Sequence, residues 1–300
     1  MRWNLALAAL AVSWGLVAVL AGAISVDPIP LAFFRLVIAA ITLALVALAT
    51  GHVRLLRPER YLPALVALGC VQAVHWVLFF ETVRRGSVAL AVITFASAPV
   101  FLAVLAPAFL PEQLSRVAVA ALVPGLAGIT LVALAGGEGG SFGWAAVACG
   151  MGSALTFAIL LILSKALLHA GAQPLTVAFW DCLGGSLVLA PALLFVAGSV
   201  PESGEDWAAL ILLGAVLTGF ATLAYAALLR HVTAQTAGVL TFLEPVSAVI
   251  LAWWLLEQPI SPQALIGGAL VLCAGIVVVV RTPTDGGVSE AVAGIGSTER

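Results

Sequence analysis

Long apolar stretches of similar length recur along this chain, separated by short polar breaks. Most contain about 20 residues or slightly more, which is the length of an α-helix that crosses the hydrocarbon core of a bilayer. The first stretch resembles a secretory signal, but it is too long for one and has a counterpart later in the chain. Ten spanning helices are therefore predicted, at residues 3–23, 30–50, 61–83, 87–110, 115–135, 143–168, 174–198, 207–230, 234–256 and 261–281.

The composition excludes a soluble protein. Charged residues make up 9% of the chain, against about 25% in soluble domains. The net charge of −2 and the scattered basic residues give no indication of nucleic-acid binding. The four cysteines lie in apolar segments without metal-ligand spacing, so they are interpreted as small buried hydrophobic residues. The sequence predicts no metal, no cofactor and no catalytic residues.

Basic residues predict the orientation in the membrane. Ten spans place both termini on one side, and Lys and Arg are enriched in cytoplasmic loops. With the termini in the cytoplasm, eight basic residues flank the inner face and only Arg84 and Arg85 flank the outer one. Both termini are therefore predicted to be cytoplasmic.

The two halves of the chain resemble each other at a constant offset. Residues 27–40 align with 173–186, matching Pro28 to Pro174 and Arg35 to Asp181. Five helices per half is an odd number, so the second half must be inverted, as in many secondary transporters. The predicted organisation is a first repeat at 1–136, an external linker at 137–142, an inverted repeat at 143–281 and a disordered cytoplasmic tail at 282–300.

Several motifs carry a family resemblance. They are "SWG" at 13–15, "LAFFRLVIAA" at 31–40, "FFETVRRGSVALAV" at 79–92, "APV…PEQLS" at 98–115 and "EPVSAVILAWWLLEQPIS…GGALVLCAGIVV" at 244–278. With them the chain resembles the drug/metabolite transporter superfamily, in its ten-helix EamA branch. The resemblance implies a pseudo-symmetric basket with the fifth and tenth spans at the periphery. It also implies a central cavity lined chiefly by the first, third, fourth, sixth, eighth and ninth spans.

Four ionisable residues fall inside predicted spans. They are Arg35, Glu81, Asp181 and Glu244. Charges in the hydrocarbon are costly, so each is a candidate for function at a cavity or gate. The alternative is that each reaches the nearer interface or pairs locally to hold helices together.

The Glu244-Pro245 pair lies deep in the ninth span and is the strongest candidate. Proline removes one intrahelical hydrogen bond, so Pro245 is predicted to kink its helix and Pro99 to kink the fourth span. Two kinks, one in each half, would serve as hinges. Glu244 would face the polar space made by the bend, or else hydrogen-bond a neighbouring helix.

Aromatic and polar side chains within the spans complete a candidate cavity for small amphipathic solutes. Any single aromatic residue could instead face lipid, and His75 could titrate near neutral pH or be a satisfied buried histidine. The predicted cavity residues are Trp14, Gln72, His75, Trp76, Phe79, Thr94, Ser97, Thr156, Phe179, Trp180, Tyr225, Thr241 and Glu244.

The sequence thus favours a secondary transporter in a bacterial inner membrane that works by alternating access. Its expected partners are a small-molecule substrate and the lipid bilayer, and a monomer would suffice. By resemblance, we expect export of amino acids, including aromatic ones. Drug efflux and movement of sugars or nucleotide sugars are the alternatives, and an intramembrane enzyme is a distant one. Exchange, facilitated diffusion and proton coupling all fit the buried acids.

Overall fold

The computed structural model describes residues 1–24, 26–85, 88–112, 115–135, 143–196, 200–201, 203–256 and 262–281. Helices account for the regular structure of these ranges. The α-helices are α1 (Arg2–Ala23), α2 (Pro28–Ala49), α3 (Leu62–Arg85), α4 (Val88–Phe95), α5 (Ala98–Phe109), α6 (Arg116–Ala135), α7 (Trp144–His169), α8 (Pro174–Leu189), α9 (Gly204–Ile211), α10 (Ala221–Leu229), α11 (Ala234–Leu240), α12 (Leu243–Leu256) and α13 (Pro262–Arg281). The predicted linker at 137–142 and the tail at 282–300 lie outside the described residues.

Six helical stretches are long and apolar enough to cross a membrane, judged by length and composition. They are Ile29–Ala49, Val53–Arg85, Trp144–His169, Pro174–Phe195, Gly204–Leu229 and Ala234–Leu255. The other four predicted spans contain shorter apolar helices among the described residues, at Arg2–Val17, Ala98–Phe109, Arg116–Leu131 and Leu265–Arg281. Each of the ten predicted segments is therefore mainly helical where the structure describes it.

Pro99 and Pro245 lie beside interruptions of their spans. The fourth predicted span is two helices, α4 and α5, separated at residues 96–97, and the ninth is α11 and α12, separated at 241–242. Ser97 and Thr241 in these interruptions keep helical backbone angles. Each proline lies in the first turn of the helix that follows, where proline is tolerated because a first-turn N–H has no intrahelical acceptor.

The eighth predicted span is also irregular. Between α9 and α10, Leu212–Phe220 forms a π-helix, and Thr218 Oγ1 donates a 2.8 Å hydrogen bond to Leu213 O within it. Gly214 and Gly219 lie against α2, where an added Cβ at Gly214 would come within 2.7 Å of Ile38 Cβ. The π-helix is therefore packed closely against α2, and such segments are frequent at functional sites.

Helices of the two halves pack mainly against each other. Here α3 contacts α7 and α8, α1 contacts α12, and α6 contacts α13. Most of these contacts have a counterpart when the halves are exchanged. The contact of α3 with α7 corresponds to that of α1 with the π-helix and α10. The contact of α3 with α8 corresponds to that of α2 with the π-helix, and the contact of α1 with α12 to that of α4 and α5 with α7. The interior is consequently built between the halves and not within each.

The contact between α3 and α8 is a backbone-to-backbone approach. A Cβ added at Gly69 would come within 2.6 Å of Gly184 Cα. Small residues permit this proximity, which is how helices associate in a membrane. The approach brings Gln72 of α3 and Asp181 of α8 together, as described below.

Replacing Gly69 by alanine should separate α3 from α8, because the atoms it meets are backbone and cannot rotate away. We expect the Gly69→Ala variant to lose about 1–3 kcal/mol of stability through overpacking, seen as a lower melting temperature of purified protein in detergent. The control is Gly143→Ala, where the new Cβ meets nothing within 4 Å. Equal melting temperatures for the two variants would contradict this account of the α3–α8 contact.

Candidate functional site

Arg35 of α2 is the centre of a polar cluster inside the helix bundle. Its guanidinium carbon lies 4.1 Å from the ring centroid of Trp76 on α3, a close cation–π contact. Its Nε atom is buried and has no hydrogen-bond partner among the described residues. Glu244 and Asp181 lie near enough to interact with its charge, although neither forms an ion pair with it in the described structure. The aromatic face and the two nearby acids help to compensate a buried cation.

The two acids come from the second half of the chain. Asp181 of α8 accepts a 3.2 Å hydrogen bond from Gln72 Nε2 on α3. Glu244 lies in the first turn of α12, directly after the break at residues 241–242. The cluster therefore joins α2 and α3 of the first half to α8 and α12 of the second.

Trp14 and Tyr225 form an aromatic contact between α1 and α10. Their ring centroids are 5.3 Å apart, and Trp14 Nε1 donates a 3.2 Å hydrogen bond to Leu217 O in the π-helix. Tyr225 Oη and Trp76 Nε1 are buried without a hydrogen-bond partner. Unpaired buried polar atoms are rare in proteins and are often found at functional sites.

The charged and aromatic residues of the cluster are only partly buried. Arg35, Asp181, Tyr225 and Glu244 lie within the helix bundle, and each keeps part of its surface accessible to solvent. These four side chains are therefore not completely enclosed by protein.

His75 has a different environment, in an aromatic cluster beside the site. Its side chain is buried, and Nδ1 lies 3.0 Å from Ser153 O and 3.2 Å from Ser153 Oγ on α7. Its ring lies within 6.4 Å of those of Trp76, Phe79, Phe95 and Phe157. His75 thus has a hydrogen-bond partner and joins α3 to α7.

One end of the bundle is closed by a buried ion pair. Lys165 Nζ of α7 lies 2.7 Å from Glu112 Oε1, with side-chain exposures of 0% and 3%. Lys165 Nζ also donates to Val232 O, and Glu112 Oε2 accepts a 2.8 Å hydrogen bond from Ala234 N at the start of α11. We call this region the Lys165 end, defined by Glu112, Lys165 and residues 232–235.

Further contacts between the halves surround the ion pair. Ser115 N donates to Gln235 Oε1 at 2.8 Å, Tyr61 Oη donates to Ala170 O at 2.8 Å, and Trp3 stacks on His231 with centroids 4.1 Å apart. The Lys165 end is therefore sealed by polar and aromatic contacts that cross between the halves.

At the opposite end, Glu81 makes only local ion pairs among the described residues. Its carboxylate lies 2.6 Å from both Arg84 and Arg85 of the same helix. The three side chains are 24%, 69% and 50% exposed, respectively. Glu81 thus pairs with neighbours on α3 and not with Arg35, which is the local alternative predicted from the sequence.

Comparison with known proteins identifies the family. The family model described as "EamA-like transporter family" matches residues 1–134 and 144–281. The chain belongs to the EamA-like transporter family. It is therefore a multi-pass membrane protein of a transporter family of the drug/metabolite type.

A solved crystal structure has the same fold. Its TM-score to this transporter is 0.79, with 20% sequence identity, and the alignment covers 92% of this chain and 94% of the other. Identity this low shows the fold alone. No curated protein gave a significant sequence match.

The hydroxyl-bearing residues of the predicted cavity bond mainly to their own helices. Thr94, Thr156 and Thr241 donate to carbonyls three or four residues earlier. Ser97 Oγ instead lies 3.6 Å from Met151 Sδ of α7. Thr94 and Thr241 are buried, and we find no link between any of these hydroxyls and Arg35 in the described hydrogen bonds.

Two aromatic residues of α8 pack against each other, and one of them bonds to the segment between α2 and α3. Phe179 packs edge-to-face against Trp180 with centroids 6.1 Å apart. Trp180 Nε1 donates a 2.9 Å hydrogen bond to Leu56 O in the segment between α2 and α3. Trp180 therefore anchors that segment.

The sequence did not predict the pairing of Glu112 with Lys165. Lys165 is one of the eight basic residues that the sequence predicts to flank the inner face. One signal was available, because Lys165 is the only lysine of the chain and lies in an apolar run, "LLILSKALLHA". A lone lysine in such a run needs a partner, but the sequence does not say which acid supplies it.

Removing the cation of the buried pair should destabilise the protein strongly. We expect Lys165→Met to lose about 3–5 kcal/mol of stability, because Glu112 would remain buried without its countercharge. The melting temperature in detergent would fall accordingly. The double variant Glu112→Gln/Lys165→Met should recover part of the loss, since glutamine can still accept from Ala234 N. Arg84→Gln, which removes an exposed partner of Glu81, is the control. A double variant no more stable than Lys165→Met would contradict this assignment.

Proposed function

We propose that this protein is a secondary transporter of the bacterial inner membrane that exports amino acids by alternating access. The observation that carries the proposal is the cluster around Arg35. It combines one cation, two acids and three buried polar atoms that have no hydrogen-bond partner in the described structure, contributed by both halves. A zwitterionic solute with an apolar side chain complements this arrangement.

The cationic side of the site suits a carboxylate. Arginine carries five N–H donors and recognises carboxylates with paired hydrogen bonds. Arg35 Nε, Trp76 Nε1 and Tyr225 Oη have no acceptor in the described protein. Leaving such donors unpaired costs about 1–3 kcal/mol each. A bound carboxylate would supply acceptors, with small rotations of these side chains.

The acidic side suits an ammonium group. Asp181 and Glu244 both interact with the charge of Arg35. A substrate carboxylate that pairs with Arg35 would draw that charge away from the acids. Its ammonium group could then take the place of Arg35 as their partner. The cluster would keep its charge balance, with Arg35 paired to the carboxylate and the two acids paired to the ammonium group.

The aromatic residues suit a small apolar or aromatic side chain. Trp14, Trp76 and Tyr225 border the cluster, and pockets for small molecules combine such walls with a few placed polar groups. Sugar phosphates and nucleotide sugars fit less well. Their phosphates call for several basic residues, and Arg35 is the only one among the site residues described here.

The two ends of the bundle support alternating access. Ion pairing and stacking join the halves at the Lys165 end, and the basic residues favour a cytoplasmic location for that end by the positive-inside rule. Opening it would separate Glu112 of the first half from Lys165 and α11 of the second. The helix breaks before Pro99 and Pro245 are the proposed hinges. The contacts exchanged between halves fit the inverted repeat on which such a motion depends.

Transport by purified protein in liposomes tests the proposal. We expect saturable uptake of labelled aromatic or small aliphatic amino acids, and a loss of at least about tenfold for Glu244→Gln and for Asp181→Asn, because charge-assisted hydrogen bonds contribute about 1.5–3 kcal/mol. Arg84→Gln should transport normally. No uptake over empty liposomes for any amino acid would overturn the proposal and favour drugs or other metabolites. Imposing a pH gradient separates proton coupling from facilitated diffusion.

A substrate analogue tests the role of Arg35. The amide of a transported amino acid keeps the ammonium group but lacks the carboxylate, so it should compete at least about tenfold less well with native protein. In the Arg35→Gln variant this preference should disappear, because the cation that reads the carboxylate is gone. A variant that still prefers the acid over the amide would show that another group recognises the carboxylate.

A further inference from the structure

A groove between α6 and α13 lies outside the candidate site. Its volume is about 590 Å³. Arg116 and Arg281 stand at its rim, and the walls below them are apolar. The wall residues are Val117, Ala120, Ile276, Val277 and Val280.

The two arginines meet because the helices are antiparallel. Arg116 begins α6, and Arg281 ends α13. The two helices cross near Gly128, where an added Cβ would come within 2.5 Å of Gly267 O. Their arginine-bearing ends therefore stand side by side, at the same end of the bundle as Glu112.

Neither arginine has a protein countercharge in the part of the chain that the structure describes. The ion pairs there involve Glu81 and Glu112 only, with Arg84, Arg85 and Lys165 as their cations. Arg116 is also at a helix N-terminus, where free backbone N–H groups and the helix dipole favour anions. The rim of the groove thus offers two cations to an anionic ligand.

The walls point to a lipid as the source of that anion. Ile276, Val277 and Val280 are 62%, 46% and 60% exposed. They lie on a helix of a membrane protein, so their exposed surface faces acyl chains. A free phosphate would pair with the arginines but would make no contact with the apolar walls of the groove. A molecule with a phosphate above an acyl chain matches both parts.

We propose that this groove binds one anionic phospholipid. Its phosphate lies between Arg116 and Arg281, and one acyl chain lies along the groove between Val117–Ala120 and Ile276–Val280. Basic pockets between spanning helices on the cytoplasmic side are suited to anionic headgroups. The proposal rests on the groove and not on the transported substrate, so it can fail or hold independently of the proposed function.

Native mass spectrometry of the whole protein in neutral detergent tests the site. Phosphatidylglycerol and phosphatidylcholine with identical acyl chains are added at equal concentration. We expect one phosphatidylglycerol to be retained at least about tenfold more strongly, since each basic residue near a headgroup contributes about 1 kcal/mol. Equal retention of the two lipids would overturn the proposal without any variant.

Paired variants locate the site. Arg116→Gln/Arg281→Gln should abolish the preference for phosphatidylglycerol. The matched control Arg54→Gln/Arg57→Gln removes the same charge from the segment between α2 and α3 and should keep the preference. An equal loss in both variants would indicate a diffuse surface charge and reject the groove.

Two further measurements separate other occupants. Inorganic phosphate should not raise the melting temperature of the native protein, whereas phosphatidylglycerol should. Equal stabilisation by phosphate would show that a free anion binds and would overturn the lipid assignment. The mass spectra should also show lipid on monomeric protein. A dimer that forms only with intact arginines and excludes lipid would assign the groove to a second copy of the chain.

Discussion

A guanidinium held inside a membrane protein is the constraint on which the interior depends. Arg35 cannot remain charged in an apolar bundle unless other groups replace its water. Trp76 supplies an aromatic face, and Asp181 and Glu244 supply negative charge from the opposite half. Compensating the charge of Arg35 in this way requires α2, α3, α8 and α12 to converge. The same convergence brings the polar residues of the candidate site together, so the need to compensate one charge also creates that site.

The charged residues at the two ends of the bundle are stabilised in different ways. At the Lys165 end, Glu112 and Lys165 are almost fully buried and bonded to backbone groups of residues 232–234. At the other end, Glu81 forms exposed pairs within its own helix. A buried pair between halves strongly resists separation, whereas exposed pairs contribute little. The asymmetry fits a structure closed at one end, and a transport cycle would have to balance the loss of this pair with new contacts elsewhere.

Three irregular backbone segments lie within the spans. Residues 96–97 and 241–242 interrupt two spanning segments, and the π-helix at Leu212–Phe220 forms part of a third. Trp14 uses this irregularity, because its indole bonds to Leu217 O in the π-helix. Irregular backbone inside a membrane is tolerated where protein or a water-filled cavity satisfies it. The three irregular segments thus lie where polar partners are available, and Glu244 follows one of them by two residues.

The sequence by itself determined that the chain is a bundle of spanning helices, and that Arg35, Asp181 and Glu244 lie within them. Hydropathy and length are local properties, so each apolar run specifies its helix without knowledge of the others. Only the tertiary structure decided which charges pair, that Pro99 and Pro245 begin helices, and that α6 and α13 form a groove with two arginines. Spanning helices are apolar on every face, so the sequence carries little amphipathic signal to tell which face turns inward. Partners such as Glu112 and Lys165 are chosen by close packing between distant helices, which no local pattern encodes.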